Sequence, residues 1–294
     1  MKIKRKNLAV KFFFLFPSVA VFLVFMVWPI FQSLYLSFLE WNMVSPNKKF
    51  VGLRNYISLF SDPNFTQTVI NTGLYVLFLM LTCFVFPYFL SYVIAHMVKK
   101  GKALYRSLLF FPSLISLAVA ATVFSWIFNG VAGPVATIYK MLGLTSPVWF
   151  STGGYVILAL SLTTAWKAFG YNMLVFLAAV VEVPIELLEA ARLEKASNWF
   201  IFWRIILPLT SPTAFYVFVI TLVFGLQYVF TPIHMITQGG PNYMSTNIVY
   251  VIYQYAFIFF QSGKAGAVSI LTLIVFFSLV VVYKKIEKKV HYEI

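Results

Sequence analysis

Six stretches of the chain are long and apolar enough to cross a bilayer: residues 12–37, 69–97, 104–128, 155–181, 208–233 and 265–283. A helix needs about 20 predominantly apolar residues to span the hydrocarbon core. Inside lipid every backbone N–H and C=O must be satisfied by the protein itself, which leaves helices and closed barrels as spanning forms. These stretches are far too long for barrel strands and do not alternate in polarity. The chain therefore reads as an all-α membrane protein with six transmembrane helices. Pro17, Pro29, Pro87 and Pro112 fall within the stretches and are tolerated there, because neighbouring helices satisfy the carbonyls a proline frees. Only 10% of the residues are charged, against about 25% in a soluble domain, so there is too little polar surface to face water.

Charge orients the spans. With the N-terminus inside, Lys2, Lys4, Arg5, Lys6 and Lys11 are cytoplasmic, as are Lys99, Lys100, Lys102 and Arg106, then Arg192, Lys195 and Arg204, then Lys284, Lys285, Lys288 and Lys289. The outer side holds Lys48, Lys49, Arg54, Lys140 and Lys264, and Lys167 lies within a span. Sixteen basic residues inside against five outside is the bias expected of short cytoplasmic loops. Both termini are thus cytoplasmic. Residues 246–260 are short for a span and open on the cap-like Ser245 and Thr246; a seventh crossing there would put the basic tail outside, so they read as a helix lying at the interface or tucked against the bundle. The stretch at 12–37 exceeds the 7–15-residue core of a secretory signal and reads as a retained helix. Because the basic residues flank apolar runs, the net charge of +14 points to the lipid bilayer and not to nucleic acid. The single cysteine, Cys83, lies in an apolar stretch and reads as core packing.

One loop differs from the rest. Residues 182–207, on the inner side, open with Val183-Pro184 and continue as an amphipathic helix through Glu186, Glu189, Ala190, Ala191 and Ala196. Proline near the start and glutamates in the first turns suit a helix N-terminus. The alanines offer a small-residue face that another protein can approach closely, and Trp199, Phe200, Phe202 and Trp203 follow. A surface helix resting on headgroups is the alternative. Among the outer loops, Gln238-Gly239-Gly240-Pro241 reads locally only as a turn.

The order Glu189-Ala190-Ala191, three residues, Lys195, nine residues, Ile205, one residue, Leu207-Pro208 resembles the EAA loop of binding-protein-dependent ABC importer permeases. The family has glycine where this chain has Lys195, with an acidic residue before it, here Glu194. A lysine forced to turn there costs about 1 kcal/mol, or else the helix continues. Gly52-Leu53-Arg54-Asn55-Tyr56, the Asn71-Thr72 pair, Trp166 with Gly170, and Thr237–Pro241 with Thr246, Tyr253 and Phe257 resemble the carbohydrate-uptake branch. The resemblance covers almost the whole chain. It implies a single transmembrane permease domain over 1–294 with the type I ABC importer permease fold, a multi-pass protein of the bacterial cytoplasmic membrane forming half of a solute pathway. It also implies a second, commonly non-identical permease subunit, two ABC ATPase subunits and an extracytoplasmic solute-binding protein. Coupling to the ATPases would run through Glu189, Ala190, Ala191, Glu194, Lys195, Ala196, Leu207 and Pro208. The chain has no G-x-x-x-x-G-K-[ST] phosphate loop. ATP and Mg are therefore expected on partner subunits, with no cofactor, metal or catalytic residue in this chain.

Lys167 sits midway along the fourth stretch, where an ammonium costs about 2.5–3.5 kcal/mol on insertion scales and must face protein or water. Thr163, Lys167 and Tyr171 share a helical face, as do Phe224, Gln227 and Tyr228 in the fifth stretch. Together they read as a cavity lining for a sugar's hydroxyls and rings; the alternative is that Lys167 pairs with a partner subunit or a carbonyl. An ion-coupled secondary transporter of a polar solute is the rival function. Such proteins usually carry carboxylates within the membrane, whereas all eight acidic residues here lie outside the stretches or near their ends. A membrane enzyme would need clustered His, Asp or Glu, and none is legible.

Overall fold

A computed structural model describes residues 13–290, with side chains to residue 285. Residue 12 and the basic cluster from Lys2 to Lys11 lie outside the described residues, as do the side chains of Lys288 and Lys289. Among the described residues, five helices are long and apolar enough to cross a membrane: α1 (Phe13–Ser37), α3 (Pro63–Met97), α7 (Tyr155–Val181), α10 (Ser211–Thr237) and α12, whose apolar part is Ser262–Lys285. Between them lie α2 (Arg54–Phe60), α6 (Pro134–Met141), α8 (Ile185–Leu193), α9 (Asn198–Leu209) and α11 (Ile248–Ile258), with one antiparallel bridge of β1 (Leu39–Glu40) and β2 (Lys49–Phe50).

The third apolar stretch is not one straight helix. It forms α4 (Lys102–Leu114) and α5 (Leu117–Ile127), bent 98° apart, and counts as a sixth span only if the bent pair is taken as one. Pro112 lies in the tight turn that ends α4, and Ser116 caps α5 by accepting a hydrogen bond from the Val119 N–H. A proline was tolerable there by composition; that the chain turns on it depends on what receives the exposed carbonyls.

Three other prolines are absorbed without a break. π-Helical turns at Leu23–Val27, Leu81–Val85 and Phe202–Ile206 each end two residues before a proline, namely Pro29, Pro87 and Pro208. Proline lacks an N–H and its ring collides with the carbonyl four residues back. Widening the turn relieves that collision inside a continuous helix. At Pro87 the freed carbonyl is that of Cys83, and Asn172 Nδ2 of α7 donates to it at 2.6 Å while also donating to Thr221 Oγ1 of α10 at 3.0 Å. One buried amide thus ties three spans together at the place where proline removed a backbone donor.

The chain forms two compact units. The first comprises the residues up to Asp62 together with Ile252–Val275, and the second Pro63–Val251 with Phe276 onward. In the second unit a core of Tyr88, Tyr92, Met173, Phe176, Val180 and Val217 also holds Leu188, Ile201, Phe202 and Ile206. There too, the turn before α11 is tied down by Asn71, whose Nδ2 donates to the Tyr243 carbonyl at 2.7 Å. Tyr75 Oη donates to the Ser245 carbonyl at 2.9 Å, and Thr72 Oγ1 accepts from the Ile248 N–H. Ser245, Thr246 and Asn247 are fully buried. Of the two placements expected for this segment, its start takes the one tucked into protein, and α11 begins at Ile248 with Asn247 Oδ1 accepting from the Tyr250 N–H.

Candidate functional site

The loop between α7 and α10 has two faces. Pro184 ends the extended link and α8 follows, with Glu186 in its first turn and Arg192 in its last, both complementing the helix dipole. Leu188 is buried, and Ala191, half-buried one turn on, packs on the same core. This is the anchoring face. Glu186, Glu189, Ala190 and Leu193, at spacings of three and four, form the opposite face and are all exposed; Leu193 is 85% exposed. An acidic, small and apolar stripe is thus held outward by an apolar one turned in.

Lys195 ends this helix by turning and not by continuing it. Its φ is +58°. The Lys195 N–H donates to the Arg192 carbonyl at 2.9 Å and the Ala196 N–H to the Ala191 carbonyl at 3.0 Å. Those two bonds are a Schellman motif, in which the left-handed residue is usually glycine. Lysine therefore takes the glycine geometry and bears its strain. Ser197 then caps α9, its Oγ accepting from the Phe200 N–H at 3.2 Å. Glu194 and Lys195 are exposed, whereas Ala196 and Leu207 are half-buried against the core; Pro208 borders a small recess with Leu187, Arg204 and Ile205.

A second feature is a cavity of about 520 Å³ among α3, α4, α7 and α10, within the range of small-ligand sites. Lys167, Tyr171, Phe224 and Tyr228 all border it. Thr163 does not: it is fully buried and its Oγ1 donates to the Ala159 carbonyl one turn back at 2.8 Å. Gln227 is exposed but outside the lining, because one hundred degrees per residue carries it off the face that Phe224 and Tyr228 share. Tyr216, Ser113, Asn172 and Thr221 complete the polar wall and were not singled out from sequence. A signal existed for Tyr216, since Tyr216, Ile220, Phe224 and Tyr228 recur every four residues and form one stripe.

Lys167 does two things at once. It borders the cavity, and its Nζ donates to the Ser113 carbonyl at 2.9 Å and the Ile115 carbonyl at 2.6 Å. Those carbonyls lie at the end of α4, where the 98° bend leaves them without helical donors. One turn along α7, Gly170 allows α4 to lie against it: a Cβ there would stand 2.0 Å from the Leu109 carbonyl oxygen. The bent pair is therefore docked by contact at Gly170 and by charge-assisted hydrogen bonds at Lys167.

These features define a polytopic helical membrane protein with an outward-facing loop and a polar cavity between its spans. The family model described as binding-protein-dependent transport system inner membrane component matches residues 87–292, and the chain belongs to that family. Its relatives include the probable ABC transporter permease protein YurN of Bacillus subtilis strain 168, 31% identical over 96% of this chain and 97% of YurN. The sn-glycerol-3-phosphate transport system permease protein UgpA of Brucella abortus is 30% identical over 99% of each chain. Among solved structures, a chain of a bacterial ABC transporter involved in the import of the acidic polysaccharide alginate matches with a TM-score of 0.80 at 23% identity, over 98% of this chain and 97% of that one. A chain of the MetNI methionine ABC transporter matches at 0.55 and 17% identity, over 81% and 99%. The fold is that of the type I ABC importer permeases, and the chain is a membrane-spanning transport subunit. The ion-coupled alternative falls with that assignment.

Proposed function

We propose that this chain forms half of the solute pathway of an ATP-driven carbohydrate importer in the bacterial cytoplasmic membrane, working with a second permease subunit and an extracytoplasmic binding protein. In this reading α8 is the coupling element. Its exposed stripe of Glu186, Glu189, Ala190 and Leu193 docks in a cleft on a separate ATPase subunit, which binds and hydrolyses ATP with Mg. The single observation that carries the reading is the two-faced loop: Leu188 and Ala191 fix the helix to the core while the EAA residues Glu189 and Ala190 are turned away from it. Lys195 keeps the family's turn, so the face is presented as it would be with glycine.

The carbohydrate follows from relatives named for glycerol-phosphate and alginate transport, together with the cavity's composition. Tyr171, Tyr216, Phe224 and Tyr228 supply flat apolar faces with hydroxyl groups beside them, which suits a sugar's mixed surface. Lys167 adds a positive charge at the wall.

Coupling is tested by co-purification. An Ala190→Trp variant puts a bulky ring on the exposed face without touching the core. It should leave the two membrane subunits together but lose the ATPase from the complex, and Glu189→Ala should weaken it. ATPase content and transport equal to wild type in both variants would remove the coupling role.

A further inference from the structure

The Gly52–Tyr56 segment belongs to neither feature described above, yet side-chain hydrogen bonds tie it into the first unit. Asn55 is buried, and its Nδ2 donates to the Ser37 carbonyl at 2.8 Å and the Leu39 carbonyl at 2.9 Å. Tyr56 Oη donates to Ser37 Oγ at 2.8 Å. These bonds fasten α2 to the end of α1. From the other direction, Ser262 donates through its N–H and Oγ to the Trp41 carbonyl. Gly263 lies so close that a Cβ would stand 1.9 Å from the Leu39 carbonyl oxygen. The end of α1, the bridge, α2 and the first turn of α12 thus make one rigid corner.

That corner encloses a polar recess of about 680 Å³, lined by Trp41, Lys49, Arg54, Gln261 and Lys264 among others. Lys48 Nζ lies 4.3 Å from the centre of the Trp41 ring. Glu40 is the acidic residue of the lining, opposite Lys49 in the β-bridge. Of the five basic residues that the topology leaves on the outer side, Lys49, Arg54 and Lys264 line the recess and Lys48 lies over its Trp41, from segments some two hundred residues apart in sequence. The depth is set by the chain itself. The apolar helix α1 stops at Ser37, two residues before the lining residue Leu39, and α12 starts at Ser262, between the lining residues Gln261 and Gly263. A cluster where two apolar spans end lies at headgroup level, where tryptophan also favours the boundary.

We propose that this recess binds the phosphate of an anionic phospholipid headgroup in the outer leaflet. Arg54 offers a planar fork of donors suited to phosphate oxygens. Lys49 and Lys264 supply point charges around it, and Trp41 with its stacked Lys48 closes one side. The excess of positive charge selects an anionic headgroup over a zwitterionic one, and the glycerol hydroxyls of phosphatidylglycerol meet a polar lining. The Asn55 and Tyr56 bonds hold Arg54 at the rim, which assigns a task to each of these three residues of the motif. The outer-leaflet assignment rests on the six-span permease reading. Lipid retention is measured independently of ATPase docking, so failure of one is distinguishable from failure of the other.

The test uses the assembled transporter in detergent, examined by native mass spectrometry after addition of phosphatidylglycerol or phosphatidylcholine. Wild type should retain phosphatidylglycerol about tenfold more than an Arg54→Gln/Lys264→Gln variant, with little preference left in the variant. Lys140→Gln, which removes the outer basic residue away from the recess, should behave as wild type. Arg54→Lys/Lys264→Arg should keep most of the retention, which separates loss of charge from loss of fold. Equal retention in wild type and the glutamine variant overturns the proposal. A variant that loses only affinity for inorganic phosphate overturns the lipid source and leaves a free-anion site. A variant that loses only association with the soluble binding protein overturns it in favour of protein docking.

Discussion

The loop between α7 and α10 and the cavity use polar residues in opposite ways. In the loop, Glu186 and Glu189 point outward, and the apolar residues beneath them do the anchoring. In the cavity, Lys167 and Asn172 turn to backbone carbonyls that the helices themselves cannot satisfy. A polar group on the first surface is free for another chain to contact, as the proposed coupling requires. A polar group on the second is first a structural necessity, since an unsatisfied carbonyl in the membrane costs several kcal/mol. The lesson is that lining a cavity does not by itself make a residue part of the solute's path. Lys167 and Asn172 must be tested for what they hold before what they bind.

The comparison is sharpened first at Gly170, where the largest effect is expected. Gly170→Ala sets a Cβ 2.0 Å from the Leu109 carbonyl oxygen, and backbone cannot yield as a flexible side chain can. Overpacking of this kind costs about 1–3 kcal/mol and sometimes more, so α4 should be pushed off α7 and the yield of folded complex should fall. Gly73→Ala, with nothing within 4 Å of the added carbon, is the control and should be neutral or mildly stabilising. Similar melting temperatures for the two variants would break the account of how the bent pair is docked.

Asn172→Leu comes next. It strands the Cys83 carbonyl and should cost about 1–3 kcal/mol, the penalty of a buried unsatisfied acceptor. A Pro87→Ala background returns an N–H to residue 87, four residues beyond Cys83, so the same change should cost less there. Equal costs in both backgrounds, read from thermal melts of the purified complex, would show that Asn172 is not serving the proline. Lys167→Met should likewise destabilise, by about 1.5–3 kcal/mol for charge-assisted bonds. Lys167→Arg should restore stability. If the arginine variant is stable but transports with altered apparent affinity for the solute, Lys167 also faces the pathway; unchanged affinity would leave it a purely structural clamp.

Much of this was legible beforehand, and what was not has a physical reason. Apolar length and charge bias report on the solvent of a helix, so the long spans and the exposed loop can be read directly. They do not report on a helix's own backbone. Pro29, Pro87 and Pro112 look alike in a hydropathy profile, yet two sit behind π-helical turns and the third sits at a 98° bend. The difference lies in Lys167, fifty-odd residues away, which receives the carbonyls left at the end of α4. The cavity stripe was half visible for a related cause. Phe224 and Tyr228 mark the face, but Gln227 shares their neighbourhood in sequence and not in space, and Thr163 spends its hydroxyl on its own helix.

The smallest effect is expected at Lys195, and it separates the loop's shape from its message. The residue is held at φ +58° by the two Schellman bonds, a conformation that costs a side-chain-bearing residue about 1 kcal/mol relative to glycine. Lys195→Gly removes that strain, although glycine's freer unfolded chain returns part of the gain. The net result should be a stabilisation of at most about 1 kcal/mol, seen as a small rise in melting temperature. Lys195→Val, β-branched and poorly suited to positive φ, should lose stability in the same measurement. If α8 speaks through Glu189 and Ala190, the glycine variant should retain its ATPase subunit as wild type does, because the exposed stripe is unmoved. A glycine variant that gained stability but lost the ATPase would mean that the lysine charge, and not only the turn, is part of what the partner reads.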